Sequence, residues 1–108
     1  MYTDCDRIIR LTIPAIRIAV ARRLKKDYGM SQADIAMRLG IAQAAVSKYL
    51  HKRFSPSISK LASTLENDRT GMRMAAIVAS TENFKAATAR IDRFATSKFM
   101  VQMAQPLL

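Results

Sequence analysis

Residues 31–50 read SQADIAMRLGIAQAAVSKYL, and this run restricts the fold more than any other part of the chain. Ser31 is a good helix cap. Asp34, three residues on, pairs with it and suits the positive end of a helix. Ile35, Ala36 and Leu39 place apolar side chains on one helix face. Gly40 ends that helix after about two turns, where glycine adopts a positive φ at little cost. A second short helix is predicted over about 43–51, with Ala45, Val46, Tyr49 and Leu50 inward. Ala36 falls where the two helices cross, and a larger side chain would force them apart. Ile41 plugs the turn between them. The pattern is a helix-turn-helix. Its outward face, Ala42, Gln43, Ala44, Ser47, Lys48 and His51, is small or polar, as entry into the major groove of DNA requires.

The flanks extend a helical fold. Pro14 suits the first turn of a helix, so a helix is predicted over 14–27, with Ile16, Val20 and Leu24 as its apolar stripe, Tyr28 prolonging it and Gly29 ending it. The residues before Pro14 fit a short helix or an extended arm equally well. Ser55 and Pro56 start a fourth helix bearing Ile58, Leu61, Ala62 and Leu65. Residues 67–71 read as a polar break and 72–79 as a short helix. Ser80 or Thr81 then caps a longer helix running to about Met100, where Phe84, Ala87, Ile91 and Phe94 recur at three and four residues. Residues 102–108 are expected to fray. Half of the residues are apolar, which allows a core, and three glycines, three prolines and no tryptophan speak against a turn-rich β fold.

Charge narrows the partner. The chain carries 18 basic and 8 acidic side chains, a formal +10. Twelve of the basic residues and only four of the acidic ones lie in 1–60. Such an excess favours a polyanion through phosphate contacts and counterion release. The single cysteine, Cys5, has no partner for an intramolecular disulfide and no metal-ligand spacing. His51, the only histidine, lacks the partners that catalysis or metal binding needs, and a phosphate contact or plain exposure is expected of it. No nucleophile–base pair is visible, so no enzyme, cofactor or metal is expected. Residues 1–10 hold acids and no apolar core of a signal peptide. Arginines interrupt the apolar stretch 11–24, so no membrane partner is expected and the cytoplasm is the expected location.

On Gln32, Ala36, Gly40, Ile41, Gln43, Val46 and Ser47, the segment resembles the helix-turn-helix of lambda-repressor and Cro-like (XRE-like) transcriptional regulators. The resemblance covers 32–51 and extends to 65 through the flanking helices. It implies that Gln43 reads a base and that Gln32 braces it from a phosphate. Gln suits that task, because its amide can bond adenine at two points. The wider run also looks like small archaeal-type predicted regulators, through Ile13-Pro14-Ala15-Ile16-Arg17 and Gln43 to Ser47. Many of those carry a C-terminal cysteine cluster. No cysteine follows Cys5 here, so a metal- or cluster-sensing role does not carry over.

These observations together predict an all-α, lambda-repressor-like bundle with additional C-terminal helices. Residues 1–68 form the DNA-binding domain, with the helix-turn-helix at 31–51. Residues 69–108 complete the core and dimerise. The expected function is sequence-specific binding of double-stranded DNA by a transcriptional regulator acting as a homodimer. Base contacts are expected from Gln43, Ala44, Ser47 and Lys48, and phosphate contacts from Gln32, Arg38, Lys52 and Arg53. Phe84, Ile91 and Phe94 are expected at the dimer seam. The basic run Arg22, Arg23, Lys25 and Lys26 is expected to answer the dipole of its own helix end rather than DNA. The rivals are a basic architectural or RNA-associated protein and a protein-interaction module such as an antitoxin.

Overall fold

The computed structural model describes residues 4–51, 54–81 and 83–107. Among them stand seven α-helices and no strand. They are α1 (Asp4–Tyr28), α2 (Gln32–Leu39), α3 (Gln43–His51), α4 (Pro56–Glu66), α5 (Arg69–Ser80), α6 (Phe84–Ala95) and α7 (Lys98–Ala104), with a closing 3-10 turn over Gln105–Leu107. The all-α expectation holds, and α3 and the start of α4 fall where the sequence puts them.

The first helix departs from expectation. It does not begin at Pro14 but runs through it from Asp4. An internal proline loses one backbone bond and crowds the preceding turn, at a cost of about 3 kcal/mol. Burial on both sides of the proline offsets this. Ile8, Leu11, Ala15, Ile16, Ile18, Ala19, Val20 and Ala21 are all buried, and each large aliphatic side chain among them contributes about 1.5–3 kcal/mol. The fully buried Thr12 hydroxyl donates to the Ala95 carbonyl at 3.0 Å, tying α1 to α6. The middle of the helix, residues 11–24, is covered on most sides because other helices surround it. The stripe Ile16, Val20, Leu24 is therefore only one side of a central spine. Tyr28 does not prolong it: at the last position of α1 its side chain is exposed.

The basic run at the end of α1 also behaves differently from expectation. Arg23 is buried, its Nε donates to the Glu66 carbonyl at 2.7 Å, and its guanidinium reaches the Asp27 carboxylate at 3.2 Å. Arg22 lies 3.6 Å from the Glu66 carboxylate. Glu66 is the last residue of α4. Arg23 therefore answers the carbonyl end of α4, where unpaired carbonyls gather, and Arg22 the carboxylate beside it. Lys25 and Lys26 remain exposed in the last turn of α1.

The C-terminal part is more continuous at one end and more broken at the other than expected. The break at 67–71 is shorter, because α5 starts at Arg69 and takes Gly71 inside it. Asp68 caps it, accepting the Thr70 N–H at 2.7 Å. Bonds from the Thr70 backbone and hydroxyl hold the Asp68 carboxyl below its ordinary range, with some help from Arg69. A depressed acid contributes stability that is present above its unfolded value and lost as pH falls through its folded one. Asp68→Ala is therefore expected to flatten the loss of stability below about pH 4, read by melting temperature against pH.

The predicted long helix to Met100 is two helices. Asn83, rather than Ser80 or Thr81, caps α6 by accepting the Lys85 N–H at 2.9 Å. The chain then turns at Thr96 and Ser97, and Ser97 caps α7. The turn brings Met100 and Ala104 back into the core, where both are fully buried. The tail does not fray through residue 107: Leu107 packs on the core and its carbonyl accepts the Ser57 hydroxyl at 3.2 Å. A single core cluster includes residues of all seven helices, with 69–108 contributing to it. The Cα radius of gyration, 12.9 Å, is what one folded domain of this length requires.

Candidate nucleic-acid interface

The interface is built on the α2–turn–α3 unit. Ser31 accepts the Asp34 N–H at 3.1 Å and starts α2. Gly40 ends it at φ 66, with Gly40 N–H on the Met37 carbonyl and Ile41 N–H on the Ala36 carbonyl. This is the paired-bond helix stop that a left-handed residue permits. Ile35, Ala36 and Leu39 of α2 and Val46 of α3 are buried, and Ile41 is half-buried against the same core. Ala45, Tyr49 and Leu50 are only partly covered, so Val46 alone of the expected inner face is sealed. A Cβ on Gly40 would meet the ring of Phe84, so the first residue of α6 roofs the turn.

The outer face of α3 carries the expected base-contact residues. Gln43, Ala44 and Lys48 are exposed, while Ser47 is half-buried. The Lys48 ammonium lies 5.6 Å from the centre of the Phe54 ring, near the outer reach of a cation–π contact. Phe54 also tilts against Tyr49, ring centres 5.9 Å apart. Gln32 opens α2, and its amide nitrogen stands 3.3 Å from His51 Nε2. Its side-chain bond is thus to the end of α3 rather than to Gln43 at the start. Lys52 and Arg53 lie outside the described residues.

Arg38, expected at a phosphate, uses one guanidinium nitrogen within the chain. Its guanidinium donates to the carbonyls of Ala79 at 2.7 Å and Thr81 at 3.3 Å, at the end of α5. Those carbonyls lack helical partners, and a charged donor meets them well. Arg38→Ala is accordingly expected to cost about 2 kcal/mol of stability, seen in denaturant unfolding. The salt dependence of DNA binding should stay unchanged; a slope shallower by about one would restore Arg38 to the phosphates.

Of the expected dimer seam, Ile91 is withdrawn. It is buried in the chain's own core beside Ala87, because α6 folds back on α1 and α2. Phe84 stays half-exposed over Gly40, and Phe94 is half-buried with its ring stacked 6.0 Å from Phe99.

One grouping was invisible in the linear sequence. Arg22, Lys25 and Lys26 of α1 line a surface cavity of about 390 Å³ together with Leu50 and His51 of α3. The charge run itself is plain in the sequence, but only the α1–α3 contact shows that it adjoins the end of the recognition helix. Among the described residues, no group of three His, Cys, Asp or Glu side chains is placed to hold a metal ion. None of their helices is long and apolar enough to cross a membrane.

A capped short helix, a left-handed glycine turn and a second helix sealed inside and polar outside define a DNA-binding helix-turn-helix protein. Residues 21–63, from late α1 into α4, match the family model described as helix-turn-helix, and the chain carries a helix-turn-helix of the XRE-like type. No curated protein and no solved structure matches the chain.

Proposed function

We propose that this chain is a transcriptional regulator that binds double-stranded DNA sequence-specifically, laying α3 in the major groove. The observation that carries this is the division of α3: Val46 is fully buried, while Gln43, Ala44 and Lys48 face solvent. A helix anchored by one face and small or polar on the other can enter the groove without disturbing the core. Gln43 reads adenine through its amide, Ala44 is small enough to meet a thymine methyl, and Ser47 and Lys48 complete the base contacts. Gln32, Lys52 and Arg53 contact phosphates, which set register without reading sequence. The chain acts in the cytoplasm.

It works as a homodimer, with two copies of α3 about one DNA turn apart, roughly 34 Å. With Ile91 in the core, the surface left for the partner copy centres on Phe84 and Phe94. Selection from random DNA, with oligomeric state measured on the selected complex, tests this. A palindromic consensus bound by two chains is expected. Recovery of no consensus, with equal affinity for random DNA and structured RNA, would instead favour an architectural or RNA-associated protein.

A further inference from the structure

We propose that His51 is a positioning residue for Gln32, and that the charge on its ring sets how Gln32 meets DNA. This rests on the DNA-reading function above. His51 is the last residue of α3 and Gln32 the first of α2, and Gln32 Nε2 lies 3.3 Å from His51 Nε2. An amide nitrogen has only hydrogens to give. With the neutral ring Nε2 either accepts from the amide nitrogen or donates to the amide oxygen, according to which ring nitrogen holds the proton; the charged ring can only donate. Adding a proton puts N–H on both ring nitrogens, so an amide nitrogen facing the ring meets a second donor. The amide must then turn over so that its oxygen accepts from the ring, and both amide hydrogens are presented elsewhere. Phosphate oxygens take only donors, so the protonated pair is the better phosphate contact, and the ring adds its own charge.

The surroundings fix the direction of the response. From α1, Arg22, Lys25 and Lys26 share the cavity with His51 and Leu50, and no acidic residue lines it. Lys48 stands one turn back on α3 itself. None of these side-chain types changes charge between pH 5 and 8, whereas histidine does. A proton on His51 joins a cationic cluster in the free protein and meets phosphate in the complex. DNA binding therefore takes up a proton, and affinity rises as pH falls. The chain holds no other histidine to confuse the assignment.

The test is DNA affinity by fluorescence anisotropy from pH 8 to 5.5 at constant salt, on the selected duplex. The wild type is expected to tighten roughly fivefold, the scale of one partly screened charge. His51→Asn should bind within about twofold of a constant affinity, and His51→Lys should bind at pH 8 as the wild type does at low pH. Independently of DNA, the Gln32 side-chain amide resonances of the free protein should move with the His51 ring titration. A wild-type pH slope retained in His51→Asn, or amide resonances that ignore the ring, overturns the proposal. Amide resonances that follow the ring in a chain that binds no duplex at any pH overturn the DNA-reading function instead, and the role assigned to His51 with it.

Discussion

Gly71→Ala is expected to destabilise the fold by about 3 kcal/mol, near the upper end of what overpacking costs, and so to lower Tm by roughly 15 °C. A Cβ at this position would run into the Leu65 carbonyl oxygen and lie 2.7 Å from the carbonyl carbon. Both are backbone atoms near the end of α4, so no side chain can swing aside. Relief requires α5 to move off α4, and α5 buries Met74, Ala75 and Val78. Gly29→Ala is the matched control. Its φ is 61, but no atom lies within 4 Å of the added methyl. Only the left-handed strain of about 1–2 kcal/mol applies there. Equal melting shifts in the two variants would contradict the close approach of α4 and α5.

Gln43→Ala is expected to have the largest effect on recognition. Losing a bidentate base contact removes about 1–3 kcal/mol of discrimination, or roughly 5- to 150-fold between the selected duplex and random DNA. Gln43 is exposed at the first position of α3, outside the core, so Tm should be unchanged. The salt slope should hold as well, since no phosphate contact is lost. Equal losses on the selected duplex and on random DNA would sink the base-reading role.

The helix-turn-helix was legible because its signals are local. Ser31, Gly40 and Ser55 act through bonds to residues within five positions, Pro56 through its own fixed φ, and α2 and α4 begin or end accordingly. Two kinds of feature escaped. At Pro14 and Gly71 the local preference is real, but long-range packing outweighs it. Thr12 bonds Ala95 and Gly71 meets Leu65, and neither partner can be inferred from spacing. The arginines form the second kind. Arg23 and Arg38 read as surface cations, yet each reaches the carbonyl end of a helix more than 40 positions away. In the site, the same limit applied to Gln32. Its partnership with His51 depends on how α2 crosses α3, a matter of tertiary geometry that no motif spells out.

The central position of α1 has a consequence for how this chain is made. Its inner residues, Ile16, Ile18, Val20 and Leu24, are buried within a core that includes Leu61, Leu65, Ile91 and Ala95. Residue 95 leaves the ribosome some 71 positions after residue 24. At about 5–20 residues per second, that is an interval of roughly 4 to 14 s. Through it, an apolar segment exists without the last of the helices that cover it. A nascent chain of this design leaves the buried residues of α1 partly uncovered until α6 is made, and its yield should depend on what shields them during synthesis as well as on the stability of the finished fold.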